Sequence, residues 1–388
     1  MEQKLSIGGR VQLNRFCRQY LQLQLELDYP AEEYLRKDAF QEAIYYTVFD
    51  ESVIEHPPPP RYQLKVLKEL VKRIEQSIQD WEEDGISDNL MNHLSTLLSS
   101  PLPSEAASTQ QKSYVTYTLS SLLPSFSNIK SLLPTSPRSP EITPPTTPTS
   151  TSSTLVPPTI TLLESRNLLS ASGTTGLKTW EASLHLSQYL ISLSLSLSHS
   201  NSQPLIPSKR ILELGSGTGF LSILCSKYLG AEYVLCTDGS SDVVSCLSDN
   251  FALNSLNESS KIDGGVYIWG EDEDPVLDGG KGRGETGMRM LDEDVVIAAD
   301  VTYDAAGIPA LVSTFQNVFA RNPAVKVLVA ATVRNERTFK GFLGTCEGCG
   351  LRVEEIEFPV VGGRQQEGPF YDDGVEIKIC EVKLGGRC

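Results

Sequence analysis

The chain has 388 residues, a length that suggests two or three folded domains of roughly 100–200 residues each. Its 49 acidic and 33 basic side chains give a formal net charge of −16, whereas a protein that grips phosphate backbones through Lys and Arg is usually basic. Direct nucleic-acid binding is therefore not expected. The hydrophobic content of 40% is enough for a buried core, and no stretch approaches the roughly 18 uninterrupted apolar residues of a membrane span. We expect a soluble protein without membrane contact.

The N-terminus and the cysteines indicate a reducing compartment. Residues Met1 to Arg10 contain neither the apolar core of a secretory signal nor an Arg-rich amphipathic presequence, so we expect a cytoplasmic protein. The eight cysteines lack the density of a disulfide scaffold. Cys346 and Cys349 are close in sequence, but no second pair and no nearby His completes a four-ligand zinc site. We predict no metal site.

The N-terminal third carries apolar residues at helical spacing. The predicted helices are Val11–Leu27, Leu64–Trp81, Asn89–Leu98 and Val115–Leu123. The prolines that follow His56 interrupt this pattern, because proline cannot donate to a helix and disfavours helix in the residue before it. We therefore predict a small helical domain over residues 1–130.

A segment of very different composition follows the predicted helices. Between Pro134 and Pro158, 20 of 25 residues are Pro, Ser or Thr. Such a segment cannot bury enough apolar surface to offset the entropy of ordering the chain. We predict a disordered linker over residues 131–160.

From Leu177 onward, short apolar runs alternate with longer amphipathic ones, a pattern typical of βα units and a largely parallel sheet. The seven predicted strands are Arg210–Leu214, Tyr233–Thr237, Val266–Ile268, Val295–Ala299, Val325–Ala331, Leu351–Ile356 and Val375–Glu381. Ile191–Ser198 alternates as a strand would, but helical spacing leads into it from Trp180, so we predict one helix that frays at its end. Asp263–Asp294 holds 10 acidic and 3 basic residues and is predicted to be mostly a mobile acidic loop.

A glycine-rich turn follows the first of these strands. Arg210–Leu214 enters the turn Gly215-Ser-Gly217-Thr-Gly219, and an apolar helix leaves it. Because glycine has no Cβ, a ligand can closely approach the backbone N–H groups of such a turn. Asp238 ends the next strand 23 residues after Gly215, a spacing at which a carboxylate can accept both ribose hydroxyls of a nucleotide. Together they predict a nucleotide-type binding site.

The spacing of the glycines bears on the identity of that nucleotide. Dinucleotide-binding enzymes favour G-x-G-x-x-G, and here the third glycine arrives one residue early. The form E-x-G-x-G-x-G, with Glu213 before the turn, resembles motif I of the seven-strand S-adenosylmethionine-dependent methyltransferases. We favour this family over a nicotinamide-dependent oxidoreductase, which is the alternative for this segment.

Three further segments extend the resemblance. They are G-T-T-G-L-x-T-W ending at Trp180, A-A-D-V-x-Y ending at Tyr303, and T-V-R-N-E ending at Glu336. Together they resemble the protein-lysine methyltransferases with a D-x-x-Y motif, and within that group the branch that methylates eukaryotic elongation factor 2. Members of that branch have a helical N-terminal domain. The resemblance covers about Gly173 to Glu381, and the N-terminal helices match only loosely.

The resemblance implies an α/β fold, with a seven-strand Rossmann-like methyltransferase sheet over residues 161–388, and S-adenosyl-L-methionine as cofactor. The residues that it implies for the cofactor are Trp180, Glu213, Gly215, Ser216, Gly217, Gly219, Asp238, Trp269 and Ala299. In this assignment Trp180 packs at the mouth and Glu213 helps to orient the turn around the cationic end of the cofactor. Asp238 takes the ribose hydroxyls, while Trp269 and Ala299 line the adenine. Ordinary core packing is the alternative for both tryptophans.

The D-x-x-Y residues Asp300 and Tyr303 are the predicted catalytic residues. They follow a predicted strand of the sheet, and open α/β sheets place ligands at the C-terminal ends of their parallel strands. Methyl transfer needs a neutral amine, whereas a free lysine has a pKa of about 10.4; a nearby sulfonium and removal from water both lower that pKa. We expect Asp300 to direct the ammonium into the pocket and Tyr303 to align the amine. A carboxylate that caps a helix, and a half-buried ring, are the alternatives.

The predicted function is therefore N-methylation of a lysine in a protein substrate, with elongation factor 2 as the expected partner of a monomeric enzyme. Two other functions stay open: a binding or chaperone-like module with an idle methyltransferase fold, and a small-molecule methyltransferase. The intact motif residues argue against an idle site. The acidic charge suits a basic partner, although solubility alone explains it equally well.

Overall fold

The computed structural model describes residues 5–104, 111–123, 157–165, 175–197, 204–271, 276–277 and 293–385. Most of the predicted Pro/Ser/Thr linker and most of the predicted acidic loop lie outside the described residues.

The described residues up to 104 fold into helices. They are α1 (Ile7–Leu21), α2 (Glu32–Leu35), α3 (Asp38–Val48), α4 (Pro60–Ser77) and α5 (Asp88–Ser99). Local chemistry sets their starts: the Ser6 hydroxyl accepts a hydrogen bond from the Gly9 N–H at 3.1 Å, and α4 begins at Pro60, whose fixed φ suits a first turn. One apolar cluster joins these helices, and its fully buried members include Phe16, Tyr20, Phe40, Ile44, Leu67 and Leu70. None of the described helices of the chain is both long and apolar enough to cross a membrane.

The predicted helices of this region compare unevenly with the structure. The helix predicted at Asn89–Leu98 is confirmed as α5. The one predicted from Leu64 starts at Pro60 and ends at Ser77, so the prediction that it reaches Trp81 is wrong, and that ring is 69% exposed. Ile78 ends the helix because its backbone is extended, with ψ of 128°.

The helix predicted at Val115–Leu123 is also wrong. Ser113–Thr118 is strand β1, which pairs antiparallel with β2 (Thr159–Glu164). A short 3₁₀ turn at Ser120–Leu122 follows β1. The inward side chains of this hairpin lie in the same core cluster as residues of the main sheet, so the hairpin packs on the sheet. The ring of Tyr114 in β1 also contacts the ring of His56 in the N-terminal region.

Of the described strands, eight form the main sheet. In chain order they are β3 (Arg210–Leu214), β4 (Tyr233–Asp238), β5 (Ile262–Val266), β6 (Val276–Leu277), β7 (Val295–Ala299), β8 (Lys326–Thr332), β9 (Leu351–Ile356) and β10 (Ile377–Leu384). Their spatial order is β6-β5-β4-β3-β7-β8-β10-β9. The five strands from β5 to β8 in this order are parallel, while β10 runs antiparallel to both of its neighbours. The two-residue β6 adds to one edge.

Without the two-residue β6 the sheet has seven strands, which confirms the predicted seven-strand α/β sheet. Strands β3, β7 and β9 have the predicted bounds. The third predicted strand, Val266–Ile268, is misplaced, because the structure has Ile262–Val266 as β5. The prediction of a helix at Ile191–Ser198 is confirmed as far as Leu197, where the helix that begins at Glu181 ends, and Ser198 lies outside the described residues.

Helices cover both faces of the sheet. They are α6 (Glu181–Leu197), α7 (Phe220–Lys227), α8 (Ser241–Ser245), α9 (Leu247–Leu253), α10 (Ile308–Arg321) and α11 (Glu336–Gly348). One core cluster holds buried residues of α6, α7 and the hairpin, and a second holds those of α10 and α11. The sheet therefore forms the middle layer of three, and the carboxyl ends of β3, β4, β7 and β8 share one edge.

Hydrogen bonds connect helix α1 and the residue after it to the loop between β9 and β10. Gln22, next to the end of α1, donates to the Phe370 carbonyl at 2.6 Å and accepts from the Phe370 N–H at 2.8 Å. The Arg15 guanidinium donates to the carbonyl oxygens of Gly363 and Gln366. These contacts tie the N-terminal helices to the last hairpin of the sheet.

Replacing Gln22 with Ala should lower the free energy of unfolding by about 1–3 kcal/mol, because Gln22 is 3% exposed and its loss leaves buried groups of Phe370 without these bonds. Chemical denaturation of the whole chain measures this change. Gln24→Ala is the matched control, since that side chain makes none of the hydrogen bonds among the described residues. Equal effects of the two substitutions would contradict the assigned role of the Gln22 contacts.

Candidate functional site

The glycine turn after β3 can be built only from glycine at its key positions. Gly215, Gly217 and Gly219 have φ angles of 66°, 55° and 78°, in the left-handed region that favours glycine. A Cβ on Gly217 would lie 3.0 Å from the carbonyl oxygen of Gly176, and one on Gly215 would lie 2.8 Å from a methyl of Val301. The turn thus packs directly against a second backbone segment and against the Val301 side chain, while Gly215 and Gly217 stay half-buried.

Two backbone hydrogen bonds hold this turn in place. The N–H of Ser216, a buried residue, donates to the Thr237 carbonyl at 2.9 Å, and the Gly219 N–H donates to the Ser216 carbonyl at 2.9 Å. Gly219 then starts helix α7. The strand, turn and helix predicted from the sequence are therefore all present.

Glu213 lies behind the turn. It is almost fully buried, and its Oε2 accepts hydrogen bonds from the N–H, at 2.9 Å, and the hydroxyl of Ser222 in the first turns of α7. Burial raises the pKa of this carboxyl group to about 8, and the bonds from Ser222 oppose that shift. The carboxyl group fixes α7 against β3, which orients the turn between them.

Asp238 ends β4 beside the same turn. Its Oδ2 accepts from the Gly217 N–H at 3.1 Å and its Oδ1 accepts from the Ser240 N–H at 3.0 Å. Burial raises the pKa of this carboxyl group, and these backbone bonds oppose the shift. A carboxylate offers about four lone-pair positions, so Asp238 retains capacity to accept further hydroxyl donors.

The two predicted tryptophans occupy different parts of the site. The Trp269 ring lies over the turn, where a Cβ on Gly215 would come within 3.3 Å of it. Two cations contact the Trp180 ring, with Lys178 Nζ 4.6 Å and Arg334 Cζ 4.9 Å from its centroid. Its indole N–H donates to the Thr175 carbonyl at 3.0 Å. Both rings are half-buried at the edge of the site.

Asp300 directly follows β7 and has a left-handed backbone conformation with φ of 54°. Its Oδ1 accepts from the Thr332 N–H at 2.8 Å, and its Oδ2 accepts from the Thr332 hydroxyl at 3.0 Å and from the Ala182 N–H at 3.4 Å. Burial raises the pKa of this carboxyl group, while Thr332 and Arg334 oppose the shift. Asp300 therefore joins the ends of β7 and β8 to the start of α6.

Tyr303 and Ala299 complete the predicted set. Tyr303 is 62% exposed, and its hydroxyl accepts a hydrogen bond from the Thr175 hydroxyl at 3.3 Å. Ala299, the last residue of β7, is buried beside Ala330 of β8. The structure thus brings the predicted residues to the carboxyl ends of β3, β4 and β7, the edge at which open α/β sheets bind ligands.

Two features of the site were not predicted. Arg334 bridges the Glu181 carboxylate and the region of Asp300. Buried Glu164, at the end of β2, accepts hydrogen bonds from the hydroxyls of Tyr117, at 2.8 Å, and Thr179, at 2.7 Å. In the sequence, the T-V-R-N-E segment is the one feature that points to Arg334. A single Glu in an apolar strand does not indicate the contacts of Glu164.

Comparisons with known proteins agree on one family. A family model described as Lysine methyltransferase matches residues 170–347. Protein-lysine N-methyltransferase EFM3 of Chaetomium thermophilum is 44% identical over 372 residues, which cover 96% of this chain and 98% of the relative. Protein-lysine N-methyltransferase EEF2KMT of Homo sapiens is 24% identical over 97% of this chain and 98% of its own length. The EFM3 protein of Saccharomyces cerevisiae is 33% identical over 50% of this chain and 55% of its own length.

The raised pKa of Glu213 predicts a pH-dependent stability. A carboxyl group whose pKa rises on folding, here from about 4.5 to about 8, stabilises the fold at low pH and loses that contribution as the pH rises through this window. Between pH 5.5 and 7.5 the wild type should lose about 2 kcal/mol of unfolding free energy relative to Glu213→Gln, which keeps an acceptor for Ser222. Urea denaturation at both pH values measures the difference. Glu232→Gln, at an exposed position, is the control, and an equal pH dependence of that variant would contradict the prediction.

Proposed function

Since this chain belongs to the lysine methyltransferase family and is a protein-lysine N-methyltransferase, we propose that it transfers methyl groups from S-adenosyl-L-methionine to a lysine of eukaryotic elongation factor 2. The observation that carries the proposal is the convergence of the glycine turn, Asp238 and the D-x-x-Y residues at one edge of the sheet. The choice of substrate rests on the resemblance of the three further motifs to the elongation factor 2 branch.

The residues present fit S-adenosyl-L-methionine. Gly215 and Gly217 are half-buried at the carboxyl end of β3, and without a Cβ their backbone can be approached closely by a ligand. We propose that Asp238 accepts the ribose hydroxyls of the cofactor and that Trp269 and Ala299 line its adenine. Trp180 packs at the mouth of the cofactor site. Bound there, the cofactor would supply an electrophilic methyl group on a sulfonium. Glu213 contributes through its hold on α7, which keeps the turn in shape.

The acceptor side has to deliver lysine as a neutral amine. Holding a free lysine neutral at pH 7 costs about 4–5 kcal/mol at roughly 1.4 kcal/mol per pH unit. Positive charge nearby and removal from water lower this cost, so the site needs orientation more than a strong base. We assign the orientation of the ammonium to Asp300 and the alignment of the amine to the exposed hydroxyl of Tyr303.

The acidic charge of the chain is compatible with this substrate class. A net charge of −16 attracts a basic partner and steers its approach. The N-terminal sequence and the sparse cysteines support a cytoplasmic location, and we propose a monomer that acts on a protein and not on a free metabolite.

The test is transfer of labelled methyl from S-adenosyl-L-methionine to an extract of cells that lack this activity, followed by mass spectrometry. We expect label on a lysine of elongation factor 2. Label on a small molecule would keep the fold and overturn the substrate. Cofactor binding without any transfer would favour the binding-module alternative.

In the same assay Asp300→Ala should abolish transfer while cofactor binding persists. Asp300 also accepts hydrogen bonds from Thr332 and Ala182, so the thermal stability of this variant should be measured together with its activity. Tyr303→Phe is a second test, because the hydroxyl that it removes contacts an exposed residue, Thr175. We expect Tyr303→Phe to slow transfer about 5–10-fold, the value of one hydrogen bond of about 1 kcal/mol. Asp304→Asn, in the same exposed loop, is the control. Loss of cofactor binding in the Asp300 variant would overturn its assignment to the acceptor side.

Asp238→Asn should weaken S-adenosyl-L-methionine binding by about tenfold or more, because hydrogen bonds to a charged group contribute about 1.5–3 kcal/mol each. Isothermal titration calorimetry measures the affinity. The exposed carboxylate of Asp242, in the first turn of α8, gives the matched control Asp242→Asn. An unchanged affinity in the Asp238 variant would contradict its role at the ribose.

A further inference from the structure

A cation of this chain already occupies the acceptor side of the site. Arg334 follows β8, and its Nη2 forms an ion pair with Glu181 Oε2 while its Nη1 lies 3.8 Å from Asp300 Oδ1. Its guanidinium also lies over the Trp180 ring. Arg334 thereby links three segments of the chain: the end of β8, the start of α6 and the end of β7.

The Asp300 carboxylate attracts an incoming ammonium against the guanidinium of Arg334, which already lies beside it. It accepts three hydrogen bonds, two from Thr332 and one from Ala182, and its side chain is 7% exposed. With about four lone-pair positions on a carboxylate, and the guanidinium of Arg334 beside Oδ1, an incoming ammonium meets a carboxylate whose charge is already shared.

Arg334 is anchored more firmly to α6 than to Asp300. Its charge-assisted bond goes to Glu181, and its stacking partner is Trp180, whereas the 3.8 Å approach to Asp300 is an ion pair without a hydrogen bond. Its side chain is 43% exposed, so it lies at the rim, where a substrate lysine would pass. This arrangement favours a guanidinium that stays in place as the substrate enters.

We propose that Arg334 is a positioning residue for the acceptor lysine: its retained positive charge between Glu181 and Asp300 disfavours the ammonium and favours the neutral amine that accepts the methyl group. This inference rests on the proposed function. In the proposed reaction, the lysine ammonium first gives its proton to solvent. The neutral nitrogen then forms a bond to the methyl carbon as the sulfur–carbon bond breaks, and sulfur keeps the electron pair. Arg334 takes no proton and forms no bond in this step.

The charged and titratable groups that face Arg334 come from every neighbouring segment. Glu181 comes from α6 and Asp300 from β7. Lys178 lies at the Trp180 ring, and Tyr303 faces the loop that carries Thr175. Since Glu181 and Asp300 attract an ammonium, removal of the guanidinium leaves the attraction unopposed, and the pKa of the bound lysine should rise.

The test is the pH dependence of single-turnover methyl transfer to elongation factor 2 purified from cells without this methylation, at saturating S-adenosyl-L-methionine. In Arg334→Gln the apparent pKa of the rate should rise by about 0.5–1 unit, so that transfer falls about 3–10-fold at pH 7.5 and recovers to within about twofold of wild type at pH 9.5. Arg334→Lys, which keeps the charge, should keep the wild-type profile. Arg337→Gln removes an exposed guanidinium from α11 and is the matched control.

The outcomes separate this inference from the function on which it rests. No transfer by the wild type to a lysine of elongation factor 2 would overturn the proposed function. With an active wild type, an equal loss at every pH in Arg334→Gln would show a merely structural role and overturn the inference alone. A lower KM for the protein substrate with an unchanged pH profile would also overturn it, because the guanidinium would then be a competitor that has to leave.

Discussion

The site depends on one close contact between two backbones, the approach of Gly217 to the carbonyl oxygen of Gly176. A Cβ at Gly217 would lie 3.0 Å from that oxygen, so any other residue would push the two segments apart. The segment of Gly176 continues into Trp180 and the start of α6, and its position is held from behind by the bond of Thr179 to buried Glu164. The hairpin of β1 and β2 therefore acts on the site, although it lies outside the main sheet.

Three buried carboxyl groups determine the electrostatics at the carboxyl ends of the parallel strands. Glu213, Asp238 and Asp300 stand at or near the ends of three neighbouring parallel strands, and desolvation raises the pKa of each carboxyl group. Each carboxyl group accepts hydrogen bonds mainly from N–H and hydroxyl donors of this chain, and within the described ranges Asp300 alone of the three has a cation beside it, Arg334. Positive charge that arrives at this edge stabilises the ionised form of Asp238 and Asp300, whereas Glu213, with a pKa of about 8, is mostly protonated at neutral pH. In the proposed function the arriving charges are a sulfonium and a lysine ammonium, and Arg334 opposes the ammonium until it loses its proton.

The sequence was most informative where structure is local. The glycine turn, its flanking strand and Asp238 were predictable because glycine spacing and an apolar run have direct backbone consequences. Strand β5 was misplaced because its two glycines interrupt the apolar pattern, whereas the aromatic residues just after it continue that pattern. The β1 strand was read as a helix because Val115 and Leu119 also fit helical spacing, and its partner strand begins only at Thr159. Arg334 lies in the T-V-R-N-E motif, but its partner Glu181 and the partners of Glu164 are distant in sequence, so no local pattern reveals these contacts.

A continuous path of contacts connects the N-terminal helices to the site. Gln22 holds Phe370, and the next residue, Tyr371, hydrogen-bonds through its hydroxyl to His185 of α6 at 2.9 Å. His185 is fully buried, and its other ring nitrogen contacts the Phe358 carbonyl at 3.0 Å, so α6 is fixed to the loop between β9 and β10 on two sides. The start of α6 carries Glu181 and follows Trp180 directly. Because Glu181 pairs with Arg334, this path of contacts links the N-terminal helices to the side of the site that the proposed function assigns to the acceptor lysine.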